Sequence, residues 1–186
     1  MLYLARSLSR LHFSSLMAVY AESNRENGRE FWPEEPEMRQ IQLAEEDFYR
    51  YLSQVFFRSP GAVYAVWEEN GRYVSALRLE PYRDGLLLEA LETAPEQRRK
   101  GFAAALIRAV QCFLEGKTKL YSHVDKRNLS SLKVHEKCGF RIVSEKGCKK
   151  VLVRTLGQIN ALKNTGIEIY ADYTLNAFNS YAADML

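Results

Sequence analysis

Thr93-Ala94-Pro95-Glu96-Gln97-Arg98-Arg99-Lys100-Gly101-Phe102-Ala103-Ala104-Ala105 is the stretch whose reading decides the fold. The apolar residues 86–93 lead into it as a strand, and Pro95 stops that strand because its nitrogen has no hydrogen for a sheet ladder. Three cations then precede Gly101, where a missing Cβ lets the backbone approach another group closely. Downstream, Phe102, Ala105, Leu106, Ala109, Val110 and Phe113 recur at helical spacing, with Arg108, Gln111 and Glu115 on the opposite side. That period predicts an amphipathic helix. Strand, basic glycine loop and helix start together make an anion site, because unpaired N–H groups, the helix dipole and the cations all favour negative charge. Pyrophosphate is the guest that such a site suits.

Neither the dinucleotide pattern G-x-G-x-x-G nor the P-loop pattern G-x-x-x-x-G-K-[ST] occurs in the chain. What stands here is Arg98-x-x-Gly101-x-Ala103, which resembles the [Q/R]-x-x-G-x-[G/A] acyl-CoA loop of the GNAT-type N-acetyltransferase superfamily. A second segment, from Asn128 through Ser131, Val134, His135, Lys137 and Gly139 to Phe140, is similar to that family's N-x-x-A-x-x-L-Y-x-K-x-G-F. The resemblance covers roughly residues 1–156. It implies an α/β fold, a single-domain acyl-CoA N-acyltransferase with a central mixed, mostly antiparallel sheet flanked by helices. It also implies acetyl-CoA as co-substrate and an amine-bearing acceptor. Residues 157–186 are then an extension that packs on the domain or enters an oligomer interface, a homodimer being one form of it.

The same resemblance assigns roles. Arg98, Arg99, Lys100, Gly101, Phe102 and Ala103 would hold the pyrophosphate. Leu91, Glu92 and Thr93 would form a strand bulge that offers backbone N–H to pantetheine and to the thioester carbonyl. Such a donor matters because acyl transfer develops an oxyanion, for which one preorganised donor is worth roughly 3 kcal/mol. Asn128 would touch the pantetheine arm, and its place before Ser130 and Ser131 also suits a helix cap.

Glu89 and Glu92 interrupt an otherwise apolar strand, where a carboxylate is costly unless it faces a cleft or a partner. An ammonium acceptor must lose a proton before attack, and a carboxylate acting directly or through water is an economical base. Glu89 lies four residues before Thr93, on the same strand face if pairing is regular, and is the first choice; Glu92 is the second. His135 stands where the family's tyrosine donates a proton to the leaving thiolate. An imidazole can donate, but it is shorter than tyrosine, and a histidine that only packs is an equal reading. His12 and His123 read as structural, and metal ligation is not expected from this spacing of His and Cys.

Composition narrows the class. The chain has 186 residues, of which 47% are hydrophobic and 26% charged, an ordinary globular mix. A net charge of +3 and a short basic run argue against a nucleic-acid partner. Cys112, Cys138 and Cys148 lack any C-x-x-C spacing and read as reduced thiols, which points to the cytoplasm. No apolar run approaches the roughly 18 residues that a membrane span needs. Residues 1–20 carry Arg6, Arg10 and serines without an acid, as transit peptides do, but their helical period continues through Glu22 and Glu26.

Taken in order, residues 2–7 read as a strand and 9–24 as a helix, with Asn27-Gly28, Pro33 and Pro36 breaking the chain. A second helix spans 43–57. Strands at 62–67, 73–79 and 86–93 follow, the first two joined by a hairpin at Asn70-Gly71. After the central helix come a strand at 119–124, a helix at 130–138 closed by Gly139, and a last hairpin of 140–145 with 149–156 around Lys146-Gly147. Residues 167–173 alternate like a strand. The acidic residues Glu34, Glu35, Glu37, Glu45, Glu46 and Asp47 either border a site for a cationic amine or form a solvated face. The resulting reading is an N-acetyltransferase; the alternative is a non-catalytic acyl-CoA-binding module of the same fold, suggested by the missing tyrosine.

Overall fold

The structure, a computed structural model, describes residues 1–143, 150–153 and 168–171. The chain divides into two compact units, Met1–Arg141 and Ile142–Leu186. In the first, β1 (Leu2–Ala5), β2 (Val63–Glu69), β3 (Arg72–Tyr82), β4 (Gly85–Thr93) and β5 (Lys119–Ser122) form one sheet in that spatial order. The first three neighbour pairs are antiparallel and β4–β5 is parallel. This is the mixed, mostly antiparallel sheet expected from the sequence. The β2–β3 hairpin turns at Asn70 and Gly71, both with positive φ (50° and 73°), the geometry for which an Asn-Gly pair is suited.

Helices cover both faces. α1 (Phe13–Val19) and α3 (Glu37–Gln54) bury Leu16, Val19 and Leu52 against Tyr64, Val66 and Ala76. On the other face α4 (Phe102–Phe113) buries Leu106, Ile107 and Val110 against Val63, Ala65, Leu77 and Leu88. Alternate residues of β2 therefore serve opposite cores, as the pleat requires. α5 (Leu129–Lys137) completes the α4 side through Val134 and Cys138.

Three boundaries differ from the sequence reading. The expected helix at 9–24 is interrupted at Tyr20, and α2 (Ala21–Phe31) runs straight through Asn27-Gly28. Gly28 is there for contact: a Cβ on it would sit 2.8 Å from the Gln40 carbonyl oxygen of α3, so a glycine lets the two helices approach. α3 begins at Glu37, just after Pro36, earlier than expected, because proline is well suited to a helix start. Finally, Lys150–Val153 (β6) pairs in parallel with Glu168–Ala171 (β7) within the second unit, and residues 140–143 form no strand. The remainder of the expected hairpin lies outside the described residues.

Candidate functional site: a split in the sheet below a basic loop

β4 and β5 pair only from Gly85↔Lys119 to Leu88↔Ser122. Beyond that point β4 bulges: Arg78 faces Glu89 and Ala76 faces Glu92, so Leu77 alone opposes Ala90 and Leu91. Ala90 takes φ +48°, a left-handed conformation that costs a residue with a side chain roughly 1–2 kcal/mol. The hydroxyl of Tyr20 compensates by donating to the Ala90 carbonyl at 2.7 Å, and the Tyr64 hydroxyl donates to Tyr20 at 2.8 Å. Burial pushes both phenols well above the ordinary tyrosine range, so neither ionises at working pH and the relay keeps its direction.

The bulge was expected at residues 91–93 and sits at Ala90–Leu91. The shift has a consequence for side-chain direction. Under regular pairing Glu89 and Thr93 would share a face; with the extra residue, Glu89 and Glu92 share one, and Thr93 turns to the other with Ser75. Ser75 donates to the Glu92 carbonyl at 2.6 Å and lies 3.1 Å from Thr93 Oγ1, which fixes the end of the strand.

Between the diverging strands lies a cavity of about 170 Å³ lined by Glu89, Ala90 and Leu91 on one side and Ser122, His123, Val124 and Asp125 on the other, with Asn128, Ser131 and His135 of the α5 segment. Asn128 caps α5: its Oδ1 accepts from the Ser131 N–H at 3.0 Å. His135 is only 5% exposed. Its Nδ1 stands 2.8 Å from the Ser131 carbonyl, which can only accept, so Nδ1 carries the proton. Nε2 is buried without a partner, and the ring meets Phe140 edge-on at 5.0 Å.

Glu89 is one third exposed and lies 3.8 Å from Arg78 across the strands. Arg78 itself stacks over Tyr51 at 4.8 Å and is mostly buried. Tyr51 donates to Glu80 at 3.4 Å. Burial first, and the charge of Glu89 second, raise the Glu80 carboxyl above its ordinary range. Burial likewise pushes Tyr51 up to about 12. Sequence reasoning missed Arg78, Glu80, Tyr51 and the split-lining His123; pairing across strands and packing from α3 bring them together, and no local motif marks them. Of the acidic residues it did mark, Glu37 pairs with Arg25 and Arg29, Glu46 with Arg39 and Asp47 with Arg50. Glu45 and Glu46 line a separate cavity of about 400 Å³ with Phe13 and Tyr49, where burial raises the Glu45 carboxyl.

Above the split, Pro95–Gln97 form a single helical turn and the chain then passes through Arg99 (φ +62°) and Gly101 (φ +88°) into α4. No side chain caps α4, so its first N–H groups have no capping partner, and a Cβ at Gly101 would meet no atom within 4 Å. Phe102 and Ala103 are the first two helical residues, partly buried. The three cations divide. Arg98 is tied down: it pairs with Glu22, lies 3.8 Å from Glu92 and donates to the Thr93 carbonyl at 3.3 Å. Glu92 in turn accepts from Ser23 of α2 at 2.6 Å, and burial raises its carboxyl. Lys100 reaches Gln97 at 2.9 Å, and Arg99 has no ion-pair partner among the described residues.

Among the described residues no helix is long and apolar enough to cross a membrane, and no group of three or more His, Cys, Asp or Glu is placed to hold a metal ion.

The family model of the acetyltransferase (GNAT) family matches residues 20–140. A search of curated proteins finds no match. Among solved structures, a transcriptional regulator from Bacillus halodurans C-125 is similar at TM-score 0.55 and 15% identity, over 79% of this chain and 97% of the other. The PaiA N-acetyltransferase from Thermoplasma acidophilum, in complex with coenzyme A, is similar at 0.52 and 15%, over 79% and 94%. An aminoglycoside acetyltransferase from an uncultured soil metagenomic sample is similar at 0.52 and 13%, over 79% and 95%. At these identities the likeness is one of fold.

Proposed function

From a chain that belongs to the acetyltransferase (GNAT) family, we propose an N-acetyltransferase that moves an acetyl group from acetyl-CoA to a primary amine by direct attack in a ternary complex. The observation that carries this reading is the alignment of three features along one strand: a pinned bulge, a split beside it and an uncapped helix start behind a basic loop. The coenzyme A held by the Thermoplasma relative supports the same ligand class.

Acetyl-CoA, once bound, supplies the activated acyl group; the chain supplies position and charge. The uncapped N–H groups from Gly101 to Ala103, with Arg99 and Lys100 beside them, suit a diphosphate. Arg98 is better placed to brace the loop against α2 and β4 than to reach a ligand. The bulge at Ala90–Leu91 frees backbone N–H near the reacting carbonyl, where a fixed donor lowers the cost of developing negative charge. Glu89 lines the split 3.8 Å from Arg78, where a carboxylate can take the amine's proton, directly or through water. Direct attack fits the site, where no cysteine thiol lines the split among the described residues.

The test is thiol release from acetyl-CoA in the presence of small polyamines, aminoglycosides, amino acids and peptide N-termini. Acceptor-dependent release that saturates with both substrates is expected. Tight coenzyme A binding with no release for any amine would favour the second reading, an acyl-CoA-binding regulatory module, which the histidine standing in place of the family's tyrosine recommends: its Nδ1 is engaged by the Ser131 carbonyl at 2.8 Å.

A further inference from the structure

The first turn of α2 touches the exit of β4 three times. Tyr20, at the helix start, donates to the Ala90 carbonyl, Glu22 pairs with Arg98, and Ser23 donates to Glu92 at 2.6 Å. Arg98 is the hub of this contact. Its Nε donates to the Thr93 carbonyl at 3.3 Å, and its Nη2 meets Glu22 and lies 3.8 Å from Glu92. Strand, loop and helix thus converge on one guanidinium, whose planar donors hold several acceptors in fixed directions. Glu26 of α2 adds to the negative charge felt at Glu92. Among the described residues, Arg98 is the one side chain from Pro95 to Gly101 that bonds to α2 or to a strand. Lys100 engages the neutral Gln97 of its own loop at 2.9 Å, and Arg99 has no ion-pair partner among the described residues.

We infer that Arg98 is a positioning residue and not a phosphate ligand: with Glu22 and Glu92 it clasps the first turn of α2 to the end of β4 and sets where the loop stands. This rests on the reading that the loop receives the coenzyme A diphosphate. An anion would have to share the Arg98 guanidinium with two carboxylates and a carbonyl, whereas Arg99 and Lys100 give up no carboxylate to meet one. The two roles predict opposite signs for a change at Glu22. If Arg98 bound phosphate, Glu22 would compete for it, and neutralising Glu22 would tighten coenzyme A binding. In a clasp the same change loosens the loop and weakens binding, even though removal of a negative charge by itself favours an anion.

Coenzyme A dissociation constants, measured by calorimetry, decide between the two. Glu22→Gln and Arg98→Met should each weaken binding roughly three- to fivefold, the scale of a partly exposed ion-pair network. The double variant should bind no more weakly than the weaker single variant, because each change opens the same clasp. Arg98→Lys should not restore affinity, since one ammonium cannot reproduce the fixed fork that holds the Thr93 carbonyl and both carboxylates. Toward a phosphate, by contrast, lysine would serve nearly as well. Nitrogen-15 spectra of the arginine side chains in the unaltered protein need no variant to fold. On addition of coenzyme A the Arg98 Nε signal should stay in place and the Arg99 signal should move.

Unchanged or tighter coenzyme A binding in Glu22→Gln, additive losses in the double variant, full rescue by Arg98→Lys, or an Arg98 signal that shifts with coenzyme A would each overturn the clasp and leave the acyl-CoA reading intact. Absence of coenzyme A binding by the unaltered protein would overturn both.

Discussion

Replacing Tyr20 by phenylalanine tests whether the bulge is held by its hydroxyl relay. In the native chain Tyr64 donates to Tyr20 at 2.8 Å and Tyr20 donates to the Ala90 carbonyl at 2.7 Å. Tyr64→Phe leaves the second bond intact and removes one net hydrogen bond, about 1 kcal/mol. Tyr20→Phe strands two groups, the fully buried Tyr64 hydroxyl and the part-buried Ala90 carbonyl, and should cost about 2–4 kcal/mol. The double variant removes the stranded Tyr64 donor as well, so it should lose less than the two single losses combined, a coupling readable from a double-mutant cycle. Urea midpoints provide the assay: with a slope near 2 kcal/mol per molar, Tyr20→Phe should fall by roughly 1–2 M. Coenzyme A affinity should fall with Tyr20→Phe, which releases Ala90 from φ +48°, and stay level with Tyr64→Phe. A Tyr20→Phe protein as stable as Tyr64→Phe, or strictly additive losses, would refute the relay.

Gly101→Asp should abolish coenzyme A binding, because the new carboxylate faces the uncapped helix start; Gly101→Ala, whose Cβ meets nothing within 4 Å, should lose only the roughly 1–2 kcal/mol of stability that φ +88° imposes. Retained affinity in the aspartate variant would show that the loop holds no anion. Glu89→Gln should slow turnover more at neutral than at alkaline pH, and a constant ratio across pH would remove Glu89 as base. The same change should bring the Glu80 carboxyl down, since the charge of Glu89 is the second cause of its elevation. Because Glu80 is raised in the folded protein, its contribution to stability is present at acid pH and lost as pH rises through its folded value. The fall in stability just above the ordinary glutamate range should therefore shrink in Glu89→Gln, as carbon-13 titration and urea midpoints can follow. Gly28→Ala places a Cβ 2.8 Å from the Gln40 carbonyl oxygen and should lower the melting temperature despite alanine's better helix propensity; a rise would mean that α2 and α3 move apart without cost.

What the sequence made legible was local, and what it hid was the product of pairing. The proline stop and the helix that follows Gly101 are each written within a dozen residues and stand as read, but the buried face of α4 is turned from the expected one: Ile107 lies in the core and Phe113, expected there, is exposed. The Asn70-Gly71 hairpin and the Asn128 cap are local in the same sense. Glu89 could be singled out as a carboxylate in an apolar run, but its neighbour Arg78 comes from an adjacent strand and Tyr51 from a helix, so their meeting depends on register. Register also explains the misjudged direction of Thr93: one inserted residue reverses every side chain beyond it, and the insertion is braced by Tyr20, a residue 70 positions away. Gly28 misled for a related reason. An Asn-Gly pair is a turn signal only when no neighbouring helix demands a residue without a side chain, and here Gln40 makes that demand. The basic run shows the limit most sharply. Three cations in sequence invite one shared role, yet Glu22 and Glu92, distant in the chain, engage Arg98 and leave Arg99 and Lys100 at the loop's open side. Charge count is a property of sequence; which charge is free to meet a ligand is a property of the fold.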